Sequence, residues 1–455
     1  MSTVINFINI IIIIAGCFFY LLGLGIFPFS ITRLLKVIDT RMTKNLLKTL
    51  AILLMVGILI NYGLVLIVKS ISTSTLIGSI ISITGLSVSA FLTLKHHRVK
   101  FPQKITIFRI LGVILVLFLF FSPILTEPLS DWDARSIWFF HAKMIYSAKN
   151  IGLSAGWADP SVSFSHPDYP KLVPLMAAQI TDVAGFWNEF LPKASIFMMF
   201  LPMILLIFSF GKKSLSFFFL FALIPFSFYN SLWNGYMDGL LALYLSISIL
   251  LISKFFKSSE FIDLFTGLLC LSISVNIKNE GVLGTLAVII SILIFHMISK
   301  NGDLLKQKKI RISKWIFIWL PTLIPCVLWT IYGNRWGLSN DLQIGSNQSF
   351  LNIGKRIFDG SLSTILVRSY QEINGAGLIL IICMTAILLW RKDVNKIIYL
   401  PLTSSLLIFL GLVTVYLSTP HDMIWHLNTS VDRTMLPVSG GILIASYFLL
   451  ESIET

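Results

Sequence analysis

FIDLFTGLLCLSISVNIKNEGVLGTLAVIISILIFHMI, residues 261–298, decides the fold. Two apolar runs flank the short polar break NIKNEG at 276–281, which leaves almost no loop to lead the chain elsewhere. A helix needs about 20 apolar residues to cross the hydrocarbon layer, and in lipid its backbone must satisfy its own hydrogen bonds. Two such runs joined by a tight turn read as neighbouring antiparallel membrane helices. Towards the N-terminus, 214–229 and 236–253 repeat the pattern, so 211–298 reads as four closely spaced spans forming a compact bundle core.

The pattern extends over the whole chain. Further apolar runs lie at 8–29, 47–68, 73–94, 106–126, 190–210, 315–333, 373–390, 397–417 and 434–450, giving about 13 spans with those already named. Charged residues are only 12% of the 455, where a soluble domain carries about 25%. The expected class is all-α, a polytopic transmembrane helical bundle. The run 8–29 lacks a basic region before it and is too long for a signal peptide core, so it reads as a span. The run 172–186 contains Gln179, Thr181 and Asp182 and reads as a partial, re-entrant or interface-lying helix rather than a crossing.

The net charge of +14 is not a nucleic-acid footprint, because the basic residues sit in short loops between apolar runs. One set of alternate loops (30–48, 95–109, 212–213, 254–263, 299–314, 391–396 and the C-terminal tail) holds 23 Lys or Arg against 7 Asp or Glu. The opposite side holds 12 basic and 14 acidic residues. Cytoplasmic loops carry the Lys and Arg excess, which places the C-terminus inside and the N-terminus outside. Loops 127–170, 334–372 and 418–433 then face the exterior or periplasm. Cys17, Cys270, Cys326 and Cys383 each lie alone in apolar stretches and read as packing residues rather than redox or metal motifs.

Five polar constellations fall on that outer side. DWDAR begins the first long loop, and Asp131 and Asp133 can share a divalent cation (Mg²⁺ or Mn²⁺), or one can take a proton from an attacking hydroxyl. The plainer alternative is that Asp133 caps the helix over 134–148, whose Trp and Tyr suit the membrane interface. HPDYPKL at 166–172 closes the loop and brings His166, Asp168, Tyr169 and Lys171 to the membrane surface, either as a polar pocket or as a stiff helix start. NSLWNGYMDG at 230–239 sets Asp238 at membrane depth, where an ionisable group is a functional hypothesis, unless Asn234-Gly235 marks a simple hairpin. Lys278 and Glu280 in NIKNEG are placed to meet a lipid phosphate or to form a salt-linked turn. HDMIWHLNTSVDRTMLP at 421–437 supplies His421, His426 and Arg433, whose guanidinium can hold two phosphate oxygens. Two histidines five residues apart on a helix would not share a face, which argues against zinc. Asn428-Thr429-Ser430 also fits a glycosylation acceptor pattern.

Together these motifs resemble the GT-C class of membrane glycosyltransferases, in pattern most similar to the protein mannosyltransferase and aminoarabinose transferase group. DWD at 131–133 matches that class's acidic motif in an early external loop. His166-Pro167-Asp168-Tyr169-Pro170 matches its closing proline motif, Asp238-Gly239 its later acid, Lys278 its short-turn cation, and Arg433 with Pro437 its late-span opening. The resemblance covers roughly 106–450 and implies a GT-C-like catalytic module over 106–455. It implies a polyprenyl-phosphate-sugar lipid donor, inverting transfer to a glycan, lipid or protein acceptor outside the cytoplasm, and residence in the plasma (inner) membrane. Asp131 and Asp133 would be the catalytic pair and possess the metal-ligand chemistry, Lys278 and Arg433 would hold the donor phosphate, and His166, Asp168, Tyr169, Lys171, Asp238, Glu280 and His426 would line the pocket. The class places its acidic loop after the first span and this chain after the fourth, so 1–105 reads as an N-terminal three-span extension. Two rival classes stand beside the enzyme: a transporter or flippase of a lipid-linked glycan or small solute, and a non-catalytic envelope assembly partner. No internal repeat is visible, and the polar groups gather at one face, where transporters place theirs near the midplane. The topology is checked by a reporter fused after Lys212, which should read cytoplasmic; an external signal would make 172–186 a full crossing.

Overall fold

In a computed structural model, the residues described are 2–34, 45–95, 104–153, 156–210, 235–298, 319–338, 344–389 and 396–454, with 223, 317, 340 and 342 singly between them. The helices are α1 (Ser2–Leu34), α2 (Leu46–Val68), α3 (Ile71–Lys95), α4 (Lys104–Thr126), α5 (Phe139–Ala148), α6 (Leu172–Ala184), α7 (Ala194–Phe210), α8 (Asp238–Ser258), α9 (Phe261–Ser274), α10 (Glu280–Ile298), α11 (Ile324–Arg335), α12 (Asn347–Phe358), α13 (Ser361–Leu389), α14 (Tyr399–Ser418), α15 (Met423–Thr434) and α16 (Leu436–Glu454). Among the described residues there is no β-sheet, and nine helices are long and apolar enough to cross a membrane. The protein is a multi-pass membrane helical bundle.

Nine differs from thirteen for local reasons. Apart from Leu223, the run 214–229 lies outside the described residues, as do the turn residue Asn234, Lys212 and Lys213. The run 261–277 is helical only over Phe261–Ser274, because the chain turns before Lys278. Pro321 and Pro325 break 315–333 into a 3₁₀ turn, Leu320–Leu323, and the short α11. α4 forms, with its shorter apolar stretch described over Ile107–Leu119. α6 has 13 residues and rises about 20 Å, short of the roughly 30 Å hydrocarbon core.

Two compact units emerge. Unit 1 draws on the described residues of Met1–Phe210, Ser231–Tyr236 and Thr322–Trp336; unit 2 draws on those of Met237–Pro321 and Gly337–Thr455. The first three helices thus share a unit with α4 to α7. In unit 1, α1 crosses α2 and α3 closely. A Cβ on Gly25 would collide with the Leu53 carbonyl, and one on Gly57 with the Leu21 carbonyl. Small residues let membrane helices approach until their backbones touch. Buried amides then tie four helices: Tyr20 donates to Asn61 Oδ1 (2.7 Å), Asn61 Nδ2 to Gln179 Oε1 (2.7 Å), and Gln179 Nε2 to Thr75 Oγ1 (3.0 Å). The polar residues of α6 are thereby partnered inside the protein. Thr181 bonds its own helix, and Asp182 pairs with Lys149 (2.5 Å) and Ser72 (2.9 Å).

In unit 2, α8 is buried along nearly its whole length and packs against α9, α14 and α16. The core there joins Ile408, Leu412 and Tyr416 of α14 to Leu427, Val431 and Met435. Two stretches expected as external loops are largely helical. Loop 418–433 is mostly α15, capped by Asp422, which accepts from Trp425 N (2.8 Å). Loop 334–372 contains α12, capped by Ser346, and the first turns of α13. Their polar residues hid helices whose apolar sides are one-faced.

Replacing Gly57 by leucine should cost roughly 1–3 kcal/mol by forcing α1 from α2, whereas Gly16→Ala, with nothing near it, should be neutral or gain up to about 1 kcal/mol from helix propensity. Thermal unfolding in detergent separates the two; equal losses would refute the close crossing.

Candidate functional site

Unit 2 gathers four of the expected residues. Asp238 opens α8, where a carboxylate faces the positive end of the helix dipole. Lys278 sits in the turn after α9. That turn is so tight that a Cβ on Gly281 would strike the Ser274 carbonyl, which leaves glycine as the residue that fits. Lys278 Nζ reaches Asp238 Oδ1 at 2.8 Å and Glu280 Oε1 at 2.9 Å. Arg433, in the last turn of α15, places Nη1 3.5 Å from Asp238 Oδ2 and donates from Nη2 to Thr429 O at 2.8 Å. Asp238 is 5% exposed and Lys278 7%. Taking such charges out of water is costly unless they are paired, and losing one partner of a buried pair costs about 3–5 kcal/mol. These two cations and two carboxylates formally cancel.

The cluster heads a cleft. Asp238, Glu280 and Arg433 form its polar end, and Leu241, Leu245 and Leu283 belong to its apolar wall, with Ile408 and Leu412 of α14 opposite in sequence and alongside in space. Its free space, open mouth included, is about 310 Å³, while the enclosed part offers water centres about 10 Å³, room for roughly one water. His426 is not in the lining. Its ring packs on Tyr416 at 4.9 Å, and the Tyr416 hydroxyl meets Thr434, which does line the cleft, at 2.7 Å. His421 precedes α15 rather than lying on it, so its ring comes within 6.2 Å of His426 despite the five-residue spacing.

Unit 1 holds the other expected residues. Asp131 lies on a bend and Asp133 at the start of a π-helical turn, Ala134–Trp138, that runs into α5. Asp133 makes no side-chain cap bond, so capping does not account for it. The helix expected over 134–148 is present, in π then α form. Among the described residues no group of three or more His, Cys, Asp or Glu is arranged to hold a metal. A cation on Asp131 and Asp133 would need its remaining ligands from water or substrate oxygens.

The HPDYP segment folds around Lys171. The ring of His166 stacks on Tyr169 at 5.1 Å, and Tyr169 on Trp138 at 5.5 Å. Lys171 is fully buried. Its Nζ donates to Pro167 O (2.9 Å) and meets His141 Nδ1 at 3.1 Å, with the rings of Trp157 and Trp329 at 4.4 and 5.0 Å. Trp329 Nε1 donates to Asp168 O. Ser165 donates to Val162 O, so His141 Nε2–H donates to Ser165 Oγ and leaves Nδ1 to accept from Lys171. Lys171 therefore faces a sealed aromatic cage rather than an open pocket. His141, Trp157 and Trp329 escaped the sequence reading; a histidine inside the apolar SIWFFHAKMIYSA was their only signal.

No family model matches the chain, and neither a curated protein nor a solved structure does.

Burial pushes the Lys171 amine well below its usual range, against the pull of Asp168, and burial with the nearby Lys171 holds the His141 imidazole low. A base with a depressed folded pKa is protonated first in the unfolded chain, so stability falls as pH drops below the unfolded value, 10.5 for Lys171. Thermal midpoints measured between about pH 7 and pH 10 should rise with pH in the native protein, and Lys171→Met should flatten that slope. An unchanged slope would assign it elsewhere.

Proposed function

We propose that the chain is a membrane glycosyltransferase that moves a sugar from a polyprenyl-phosphate donor to a glycan, lipid or protein acceptor on the non-cytoplasmic face. One observation carries the lipid-phosphate half of this reading. Arg433, Asp238 and Glu280 line the polar end of a cleft walled by leucine and isoleucine inside a membrane bundle, and Lys278 reaches both carboxylates from just outside the lining. A phosphate with a long apolar tail has that same division of polarity. Fixed cations also stabilise charge that develops on a departing phosphate.

The transfer half rests on the DWD and HPDYP resemblance. In it an acceptor oxygen attacks the anomeric carbon, the bond from that carbon to the phosphate oxygen breaks, and the electron pair leaves with the lipid phosphate. The acceptor proton passes to a carboxylate, for which Asp131 is the first choice with Asp133 as its partner. A divalent cation, if used, would lower the cost of the charge near those acids; no step here depends on it. The membrane would be the plasma (inner) membrane, with transfer facing the periplasm or exterior.

A second reading, carriage of a lipid-linked phosphate without sugar release, is favoured by the ion pairs that already neutralise Lys278 and Arg433. Such pairs leave each cation with a carboxylate partner before an anion arrives and after it departs.

Purified protein in nanodiscs, given radiolabelled polyprenyl-phosphate sugars and acceptors, separates the two. Asp131→Asn should cut transfer by about 100-fold or more with donor binding intact. Lys278→Ala and Arg433→Ala should each weaken donor binding by about 10- to 100-fold. Donor movement across vesicles with the sugar still attached would replace the enzyme by the carrier. Native protein that binds no lipid phosphate would sink both.

A further inference from the structure

α12 carries its polarity in an order that water does not explain. Phe350, Leu351, Ile357 and Phe358 are 65%, 67%, 42% and 89% exposed. At 100° per residue they fall on one arc of the helix, as i, i+1, i+7 and i+8 must. Scattered exposed hydrophobes are ordinary, but a contiguous apolar face of this kind marks a surface that something covers.

The opposite side is polar and bound inward. Asn352 Nδ2 donates to Ser418 O (3.3 Å) and Thr419 O (3.0 Å). Arg356 donates from Nη1 to Tyr416 O, Leu417 O and Thr419 O (3.1, 3.2 and 2.7 Å) and from Nη2 to His421 O (3.0 Å). Tyr416, Leu417 and Ser418 are the last residues of α14, whose carbonyls a helix leaves without intrahelical partners, and Thr419 and His421 follow directly after it. They also lie where the candidate span Lys396–Ser418 ends. Arg356 and Asn352 thus pin α12 at the level where a membrane crossing stops.

We propose that α12 is seated in the bilayer interface, with its Phe350, Leu351, Ile357 and Phe358 face in the boundary between headgroups and acyl chains. Its occupant is lipid. Three features select lipid over a second protein. The face is continuous with the membrane surface: three residues past Phe358 the chain enters α13, a candidate span that leaves most of its apolar surface uncovered. Exposed Lys355 lies on the rim of the apolar arc, between it and the pinned polar side, where an ammonium meets headgroup phosphates. At 12 residues the helix rises about 18 Å, too short to cross but suited to lying in the interface. The proposal does not depend on sugar transfer and holds equally for a carrier.

Site-directed fluorophore labelling tests it. Single cysteines replace Phe350, Lys355 or Phe358 in the full chain, each is labelled and reconstituted into phosphatidylcholine vesicles, and labelled native protein supplies the background from its four cysteines. The labels at 350 and 358 should be quenched by nitroxide lipids carrying the probe near the headgroup more than by those carrying it at the chain end. Quenching by aqueous iodide should be severalfold weaker at 350 and 358 than at 355. Strong iodide quenching at all three positions would put the face in water and overturn the proposal. Shielding from both iodide and nitroxide lipid, with cross-linking between copies through the cysteine at 358, would replace lipid by a second chain.

Discussion

An apolar medium offers no partner to a polar group, so a buried donor or acceptor gains by finding one within the protein. Much of this fold follows from that demand. Asn45 accepts from Lys48 N at the start of α2 while its amide donates to Ser209 O near the end of α7, serving two helix termini with one side chain. Arg356 does the same for the end of α14 through four carbonyls. Asn61 and Gln179 satisfy one another reciprocally and join α2 to the short α6. Each such bond is modest in a membrane, about 0.6–2 kcal/mol. Their effect is to select one arrangement among the many that greasy helices would otherwise accept.

Buried charge is managed in two different ways. In unit 2, Lys278 is paired at close range with Asp238 and Glu280, and Arg433 with Asp238. Such a cluster can trade one anion for another without exposing a bare cation, which suits transient binding of a phosphate. In unit 1, Lys171 has aromatic rings, a carbonyl and an imidazole nitrogen around its amine, and burial favours the neutral form. That lysine is a strut of the HPDYP segment. Its cage holds Pro167 against His141 and fixes where the motif ends. The same residue type is therefore held by two carboxylates in one unit and by aromatic rings, a carbonyl and an imidazole in the other.

The first long loop sets its two carboxylates beside an unusual backbone turn. DWD stands just before the helix over 134–148, and the π turn that opens it carries Trp138 into the stack with Tyr169 and His166. π-helical turns often accompany functional sites. The two carboxylates are within one turn of backbone yet have no third ligand group assembled with them among the described residues.

Apolar length is a local quantity, so the sequence by itself determined the membrane bundle, most helix positions and the shortness of the 172–186 run. Charge type is also local, which is why Asp238, Lys278, Glu280 and Arg433 were legible as candidates. Partner choice is not local. Asp238 and Lys278 are 40 residues apart and Asn61 and Gln179 are 118 apart, and only packing brings each pair within hydrogen-bond reach. Helices α12 and α15 were hidden because their polar faces look like loop until the carbonyls and core they pack against are known. Lys171 was read as a pocket residue because a sequence records that a lysine is present, while only the tertiary structure decides whether it meets water, an anion or the two tryptophans, histidine and carbonyl that enclose it here.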